Sequence, residues 1–310
     1  MALNYAEVWS PDLLEIMEQD SLTSPFVTTA VKWLSAKTFH FTQMSTSGYK
    51  SHSRLGGWNK GTVEQTDVPF TLTHDRDIQF MIDKIDVDET NETASIKKIS
   101  EVFHKTQQIP EMDAYFYSKV ATEAQKLEGY HSSTALSSYT KENVYGKLKA
   151  MLSAGKLRRY VAKGALIAYV NSTIMDLLEQ STDFTRKIEM TQIAEGGIGI
   201  ETRITDIDGV TLIEVIDDER FYDKFDFTDG FAPVASTSHK INVLIASPLT
   251  VKTVPKIASI YYFNPGQHTE GDGYLYQDRS LSDTFVFPNG KDNKIDSIYV
   301  DVDTETYSAA

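Results

Sequence analysis

The sequence contains no cysteine. That absence removes disulfide frameworks, thiolate zinc sites and cysteine nucleophiles together. Stability has to come from packing, hydrogen bonds and association. The chain also lacks any apolar run of the roughly 18 residues that a membrane span needs. Its opening, MALNYAEVWSPDLLEIMEQD, is acidic and has no basic n-region, so it does not read as a signal peptide. The protein is therefore expected to start in the cytosol, with no membrane partner. Cations are outnumbered, 30 Lys and Arg against 44 Asp and Glu, for a net charge of −14. This disfavours tight nucleic-acid binding, which needs basic side chains to replace phosphate counterions. It suits a surface that must not stick to DNA, and equally simple solubility.

Patterns that carry chemistry are missing as well. None of the seven histidines (His40, His52, His74, His104, His131, His239 and His268) sits in a G-x-S-x-G elbow or an H-E-x-x-H motif. GGIGIE, 196–201, lacks phosphate-loop spacing and reads as a turn. Asp206 and Asp208 begin like a calcium loop but lack its remaining ligands. Asp217, Asp218, Glu219, Asp223, Asp226 and Asp229 could supply a glycosidase-type acid pair or be a solvated acidic loop. No catalytic, cofactor-binding or metal-ligating residue is assigned, and no cofactor is expected.

With 310 residues, 41% of them hydrophobic and 24% charged, the chain is long enough for one large domain or two modest ones with a real core. Residues 1–30 read as an arm, with a short helix after Ser10 and Pro11. Phe39, Phe41 and Gln43 then alternate with Thr38, His40 and Thr42. After a tip come Phe70 and Leu72, then Ile78, Phe80 and Ile82, again alternating, with Pro69 marking an edge or a bulge. This predicts a long two-stranded ribbon, which is marginal alone in water and must lie on something.

The tip, STSGYKSHSRLGGWNKG (45–61), holds four glycines, four serines, the cations Lys50, Arg54 and Lys60, and no carboxylate. It carries +3, which leaves −17 for the rest of the chain. All three tryptophans, Trp9, Trp33 and Trp58, fall within the first 58 residues, where the least local core is visible. Tryptophan is enriched at interfaces. Lys50, Arg54, Trp58 and Lys60, with Trp9 and Trp33, are thus candidate inter-subunit contacts; the competing reading folds the ribbon back on its own body.

A helix is predicted from a Thr90 or Thr93 cap to Gly129, with Ile96, Ile99 and Phe103, then Met112, Phe116, Val120 and Leu127, as its apolar stripe. Pro110 in its middle is expected to kink it rather than end it. A second helix opens near Thr140. ALIAYVN, TLIEVI and INVLIAS read as strands and STIMDLLEQS as a helix; KIASIYYFNPG, DTFVFP and SIYVDVD read as C-terminal strands punctuated by glycines such as Gly266, Gly271, Gly273 and Gly290.

Several stretches resemble the major capsid proteins of tailed bacteriophages with the Hong Kong 97-like fold, in the group found in phages of Gram-positive bacteria. LTHDRDIQFMIDKID is similar to the descending strand of that family's extended loop. KTQQIPEMDAYFYSKVA is similar to its spine helix, and IEVIDDERFYDKFDFTDGF and DGYLYQDRSLSDTFVF resemble later blocks. The resemblance implies an α+β capsid fold divided into an N-terminal arm (1–36), an extended β-ribbon loop (37–83), a peripheral domain with the spine helix (84–139 and 251–310) and an axial α/β domain (140–250). It implies a shell of hexamers and pentamers around phage double-stranded DNA, bound without sequence specificity, with a portal at one vertex. The ribbon strand begins near residue 37, so a separate scaffolding protein is expected. The location implied is the virion, with assembly in the host cytoplasm. An encapsulin-like nanocompartment shares this fold, and an acidic carbohydrate-active enzyme using the 217–229 carboxylates is the competing reading from another class.

Overall fold

The computed structural model describes residues 20–29, 33, 35, 37–52, 54, 56–85, 96–181, 188–191, 202–267, 269, 271–288 and 294–308. The helix expected after Ser10, the caps Thr90 and Thr93, the turn 196–201, Trp9 and Gly290 lie outside these residues.

Alternation does build the ribbon: β1 (Thr38–Thr46) pairs antiparallel with β2 (Val63–Thr71) in unbroken register. Pro69 faces His40 within that register, so it occupies a ribbon edge rather than a bulge. The ribbon does not run on to Ile82. It ends at Leu72, and β3 (His74–Asp83) leaves it to pair with β13 (Gly273–Val286), which pairs in turn with β12 (Val251–Phe263). Asp283 of β13 makes the break by accepting the Thr73 backbone N–H at 2.9 Å and its hydroxyl at 2.8 Å. Periodicity cannot reveal this exchange, because both halves of the segment alternate alike.

One long helical run crosses this three-stranded sheet. It comprises α1 (Ile96–Phe103), a π segment (His104–Gln108) and α2 (Ile109–Gln125). The chain stays helical through Pro110, as expected. The irregularity lies just before it, where the Ile109 N–H donates to the His104 carbonyl. A proline ring clashes with the carbonyl four residues back, and the wider π turn relieves that crowding. The run ends at Gln125, before Gly129, which lies in the following turn at φ +81°.

The remaining elements form a seven-stranded mixed sheet in the order β4 (His131–Ser133), β14 (Ile298–Thr306), β11 (His239–Ala246), β5 (Ile167–Asn171), β8 (Val210–Val215), β7 (Thr202–Ile207) and β6 (Ile188–Thr191). Its central strands are buried on both faces, so they read as apolar runs rather than as alternation. Leu244, Ala246, Tyr169, Val300 and Val302 point to one core with Phe116, Tyr117 and Val120 of α2. Val243, Ile245, Ala168, Val170 and Tyr299 point to the other. That second core is covered by α3 (Val144–Leu152), α4 (Arg158–Val161) and α5 (Ser172–Gln180). The second helix thus begins at Val144 rather than Thr140, after a turn in which the Val144 N–H donates to the Thr140 carbonyl.

Residues 114–118 of α2 are buried on every side. Phe116 and Tyr117 enter the central core, while the Tyr115 hydroxyl donates to Asp283 at 2.8 Å. This helix therefore couples the two sheets. β9 (Phe225–Asp226) and β10 (Ala232–Pro233) form a small hairpin beside it.

Candidate assembly interface

The ribbon's two ends have opposite environments. At its root, Phe39 and Leu72 are buried with Val254, Leu281 and Phe287 in a third core, with Phe70 and Phe285 packed against it. Trp33 sits here, half-buried, edge-on to Phe39, with the Lys256 Nζ 3.9 Å above its ring. So the root does pack on the chain's own body. Lys37 and Arg279 both reach Asp75, at 3.0 Å each, and hold its carboxyl at about 2, below the ordinary carboxylate range; Arg279 is the stronger influence.

Toward the tip no such support is present among the described residues. The two strands close through the Ser47 N–H to the Thr62 carbonyl at 2.9 Å, and the Lys50 Nζ donates across the tip to the Lys60 carbonyl at 3.0 Å. Asn59 donates to the Ser51 carbonyl at 2.8 Å. These bonds shape the loop but bury nothing. Trp58 is 96% exposed and Tyr49 fully exposed, and Met44 and Val63 just below them are also exposed. Gly57 takes φ +70°, a backbone conformation that side chains resist. No carboxylate among the described residues forms an ion pair with Lys50, Arg54 or Lys60. The structure thus brings Lys50, Trp58 and Lys60 together on one unsupported tip that also carries Arg54. It keeps Trp33 apart at the root.

The carboxylates of 217–229 are used structurally. Asp217 pairs with Arg220 and Asp218 with Lys240. Buried Asp223 accepts the His239 N–H at 2.6 Å and the Gln125 amide at 2.8 Å. Asp226 accepts the hydroxyl and N–H of Thr228, which hold its carboxyl below the usual range. This arrangement is not an acid pair facing a cleft. Asp208 and Gly209, at φ +52° and +79°, form the tight hairpin turn between β7 and β8, not a calcium loop. Among the described residues no group of three or more His, Asp or Glu is positioned to hold a metal ion, and no helix is long and apolar enough to cross a membrane.

The chain also carries a charge cluster that hydrophobic periodicity does not show. Residues 140–164 hold seven cations and a single carboxylate, Glu142. Lys156, Arg158, Arg159 and Lys163 of this stretch are exposed around α4. A charge count along the chain would have found it.

No protein-family model matches the chain, and no curated protein matches it. Solved structures do. The chain is similar to the mature capsid of bacteriophage PhiM1 (12% identical, TM-score 0.63, covering 97% of this chain and 92% of that one). It is similar to the capsid of the cyanophage P-SCSP1u (11% identical, TM-score 0.63, 95% and 91%). It is also similar to a chain of Mycobacterium phage Bobi (11% identical, TM-score 0.57, 97% and 96%). At such identities the likeness is one of fold, and it runs over nearly the whole chain. The protein has the α+β fold of phage capsid proteins, the fold its sequence blocks resembled.

Proposed function

We propose that this protein is a major capsid protein, whose copies assemble into the icosahedral shell enclosing phage double-stranded DNA. The observation that carries the reading is the fold likeness to phage capsids over 97% of the chain. Neither the nanocompartment nor the carbohydrate-enzyme reading has comparable support. The test is electron microscopy of the purified protein with gel filtration beside it. Closed shells or capsomers are expected; a species that stays at 34.8 kDa under all assembly conditions overturns the reading.

The finer assignments belong to the same proposal. Residues 1–36 act as the arm, 37–83 as the extended loop, of which 38–72 form the ribbon and β3 anchors it on the three-stranded sheet, 84–139 with 251–310 as the peripheral domain and 140–250 as the axial domain. β4 and β14 complete the axial sheet from the peripheral segments, so the two domains share backbone hydrogen bonds. The tip of the loop lies across a neighbouring subunit, with Trp58 as the apolar anchor and Lys50, Arg54 and Lys60 facing its carboxylates. Trp9 and Trp33 contribute nearer the arm and root. A tip exposing an indole with no local core is the feature that supports this contact. A separate scaffolding protein, a portal at one vertex and packaged DNA held without sequence specificity are the other partners of a virion protein of this kind, assembled in the host cytoplasm.

A further inference from the structure

The central sheet has two ends, and they carry opposite charge. β5, β8 and β14 start at one end, where β11 finishes. Here lie Lys156, Arg158, Arg159 and Lys163 around α4, all exposed. Arg159 reaches Asp296 only at 4.0 Å, and that buried carboxylate already accepts the Tyr160 hydroxyl at 2.7 Å. Arg158 donates to the Ser153 hydroxyl at 3.2 Å. Lys149 is matched by Asp208 nearby, but Lys156 and Lys163 form no ion pair among the described residues. Exposed Asp206 lies beside Asp208 in the β7–β8 hairpin at this end, and the five cations still exceed the local carboxylates.

At the other end β8 and β14 finish and β11 begins. It is bordered by residues 216–229. Glu219, Asp226 and Asp229 are exposed here, and Asp217 and Asp218 are half-buried. The cations at this end are Arg220, which is buried, Lys240, engaged by Asp218, Arg76, which pairs with Glu111 and donates to the Phe227 and Gly230 carbonyls on either side of Asp229, and Lys224, which is exposed. Along β14, nine residues long, the two ends stand roughly 26 Å apart at about 3.3 Å per residue.

Each end also shows one large apolar side chain to solvent. Leu249 is 51% exposed in the turn after β11, beside the basic cluster, where the Ser247 hydroxyl donates to the Ala165 carbonyl. Ile216 is 44% exposed at the acidic end, next to Asp217 and Asp218. An apolar residue ringed by charge is the usual anatomy of a protein contact.

We infer that these ends are the two halves of one contact: the basic end of one copy's central sheet docks on the acidic end of the next copy's. The two patches are different surfaces, so the contact is heterologous, and repeating it head to tail closes a ring when the rotation allows. This rests on the reading that the protein assembles with itself. The occupant is a second copy rather than DNA, because both ends combine charge with an apolar side chain. A phosphate backbone would satisfy the cations and leave Leu249 uncovered.

The experiment uses charge reversal in the full-length chain. Arg158→Glu with Lys163→Glu reverses the basic end. Glu219→Lys with Asp229→Lys reverses the acidic end. Each pair alone is expected to lower the yield of assembled particles by about tenfold, since like charges then face each other, with unchanged helix content by circular dichroism. All four changes in one chain restore opposite charge across the contact, and the yield is expected to recover to most of the wild-type value. Three results overturn the inference: normal yield from both pairs, loss without recovery in the fourfold variant, or normal particles that retain less DNA when the basic end is reversed. If the wild-type protein forms no particles at all, the shell reading itself has failed, and this contact falls with it.

Discussion

Asp113 and Arg220 meet at 3.2 Å in the interior, the carboxylate wholly buried and the guanidinium 2% exposed. They join the first turns of α2 to the acidic end of the central sheet. Asp113 also accepts the Leu22 N–H and the hydroxyls of Ser21 and Thr23, at 3.1, 3.0 and 2.7 Å. One buried carboxylate thus ties the incoming N-terminal segment to the helix, with Leu22 and Phe26 packed in the core beside it. Burial pushes its carboxyl up; the Thr23 hydroxyl and the Arg220 charge oppose this.

Removing one partner should cost more than the pair contributes. Asp113→Ala leaves the buried Arg220 guanidinium with the half-buried Asp217 as its remaining carboxylate and frees three donors, and a loss of about 3 kcal/mol or more is expected. Replacing both residues by apolar ones of similar size, Asp113→Leu with Arg220→Met, should recover part of that loss. Urea unfolding of the subunit measures both. Equal loss in the single and double variants would show that the charge itself was not the cost.

Asp75 sets a pH dependence at the ribbon root. Its folded value of about 2 lies below the ordinary 3.8. A depressed carboxyl stabilises the fold above its unfolded value and loses that contribution as pH falls toward the folded one. Asp75→Asn should therefore lower the melting temperature at pH 6, and the difference from wild type should shrink between pH 4 and pH 2. A constant difference over that range would contradict the assignment.

Phe39 separates root from tip. It is fully buried against Phe70, Phe285 and Phe287, with ring centres 5.2–6.4 Å away. Phe39→Ala should cost about 3–5 kcal/mol locally. Hydrogen exchange should quicken at the base of β1 and β2 while the central sheet keeps its protection. Uniform loss across the chain would mean that the root and the central cores unfold as one unit.

Trp58 behaves differently, because it is 96% exposed and buries almost nothing against the described residues of its own chain. Trp58→Ala should leave subunit stability unchanged and weaken assembly, by about 2 kcal/mol or more per contact if it is an anchor. Reversing one of Lys50, Arg54 or Lys60 should cost less, roughly 0.2–1 kcal/mol, and make assembly more salt-sensitive. Particles of Trp58→Ala with normal yield and thermal stability would exclude the tip as an anchor.

The sequence by itself determined what depends on local pattern and composition. The two-sided apolar runs ALIAYVN and INVLIAS placed β5 and β11, because a strand buried on both faces has no polar alternation to show. The acid-free Gly and Ser stretch located the tip. The quoted blocks pointed to the fold through resemblance. Tertiary structure decided the choice of partners. β3 left the ribbon because Asp283, 210 residues away, takes the Thr73 donors. Asp113 found Arg220 across 107 residues, and the acids of 217–229 became ion pairs and turn caps once Lys240, Thr228 and His239 stood beside them. The opposed charge at the two sheet ends likewise needed the topology, because it brings α4 to one end and residues 216–229 to the other. Periodicity reports which face of an element is buried. It cannot report what that face meets, since the partner is fixed by contacts between residues far apart in the chain.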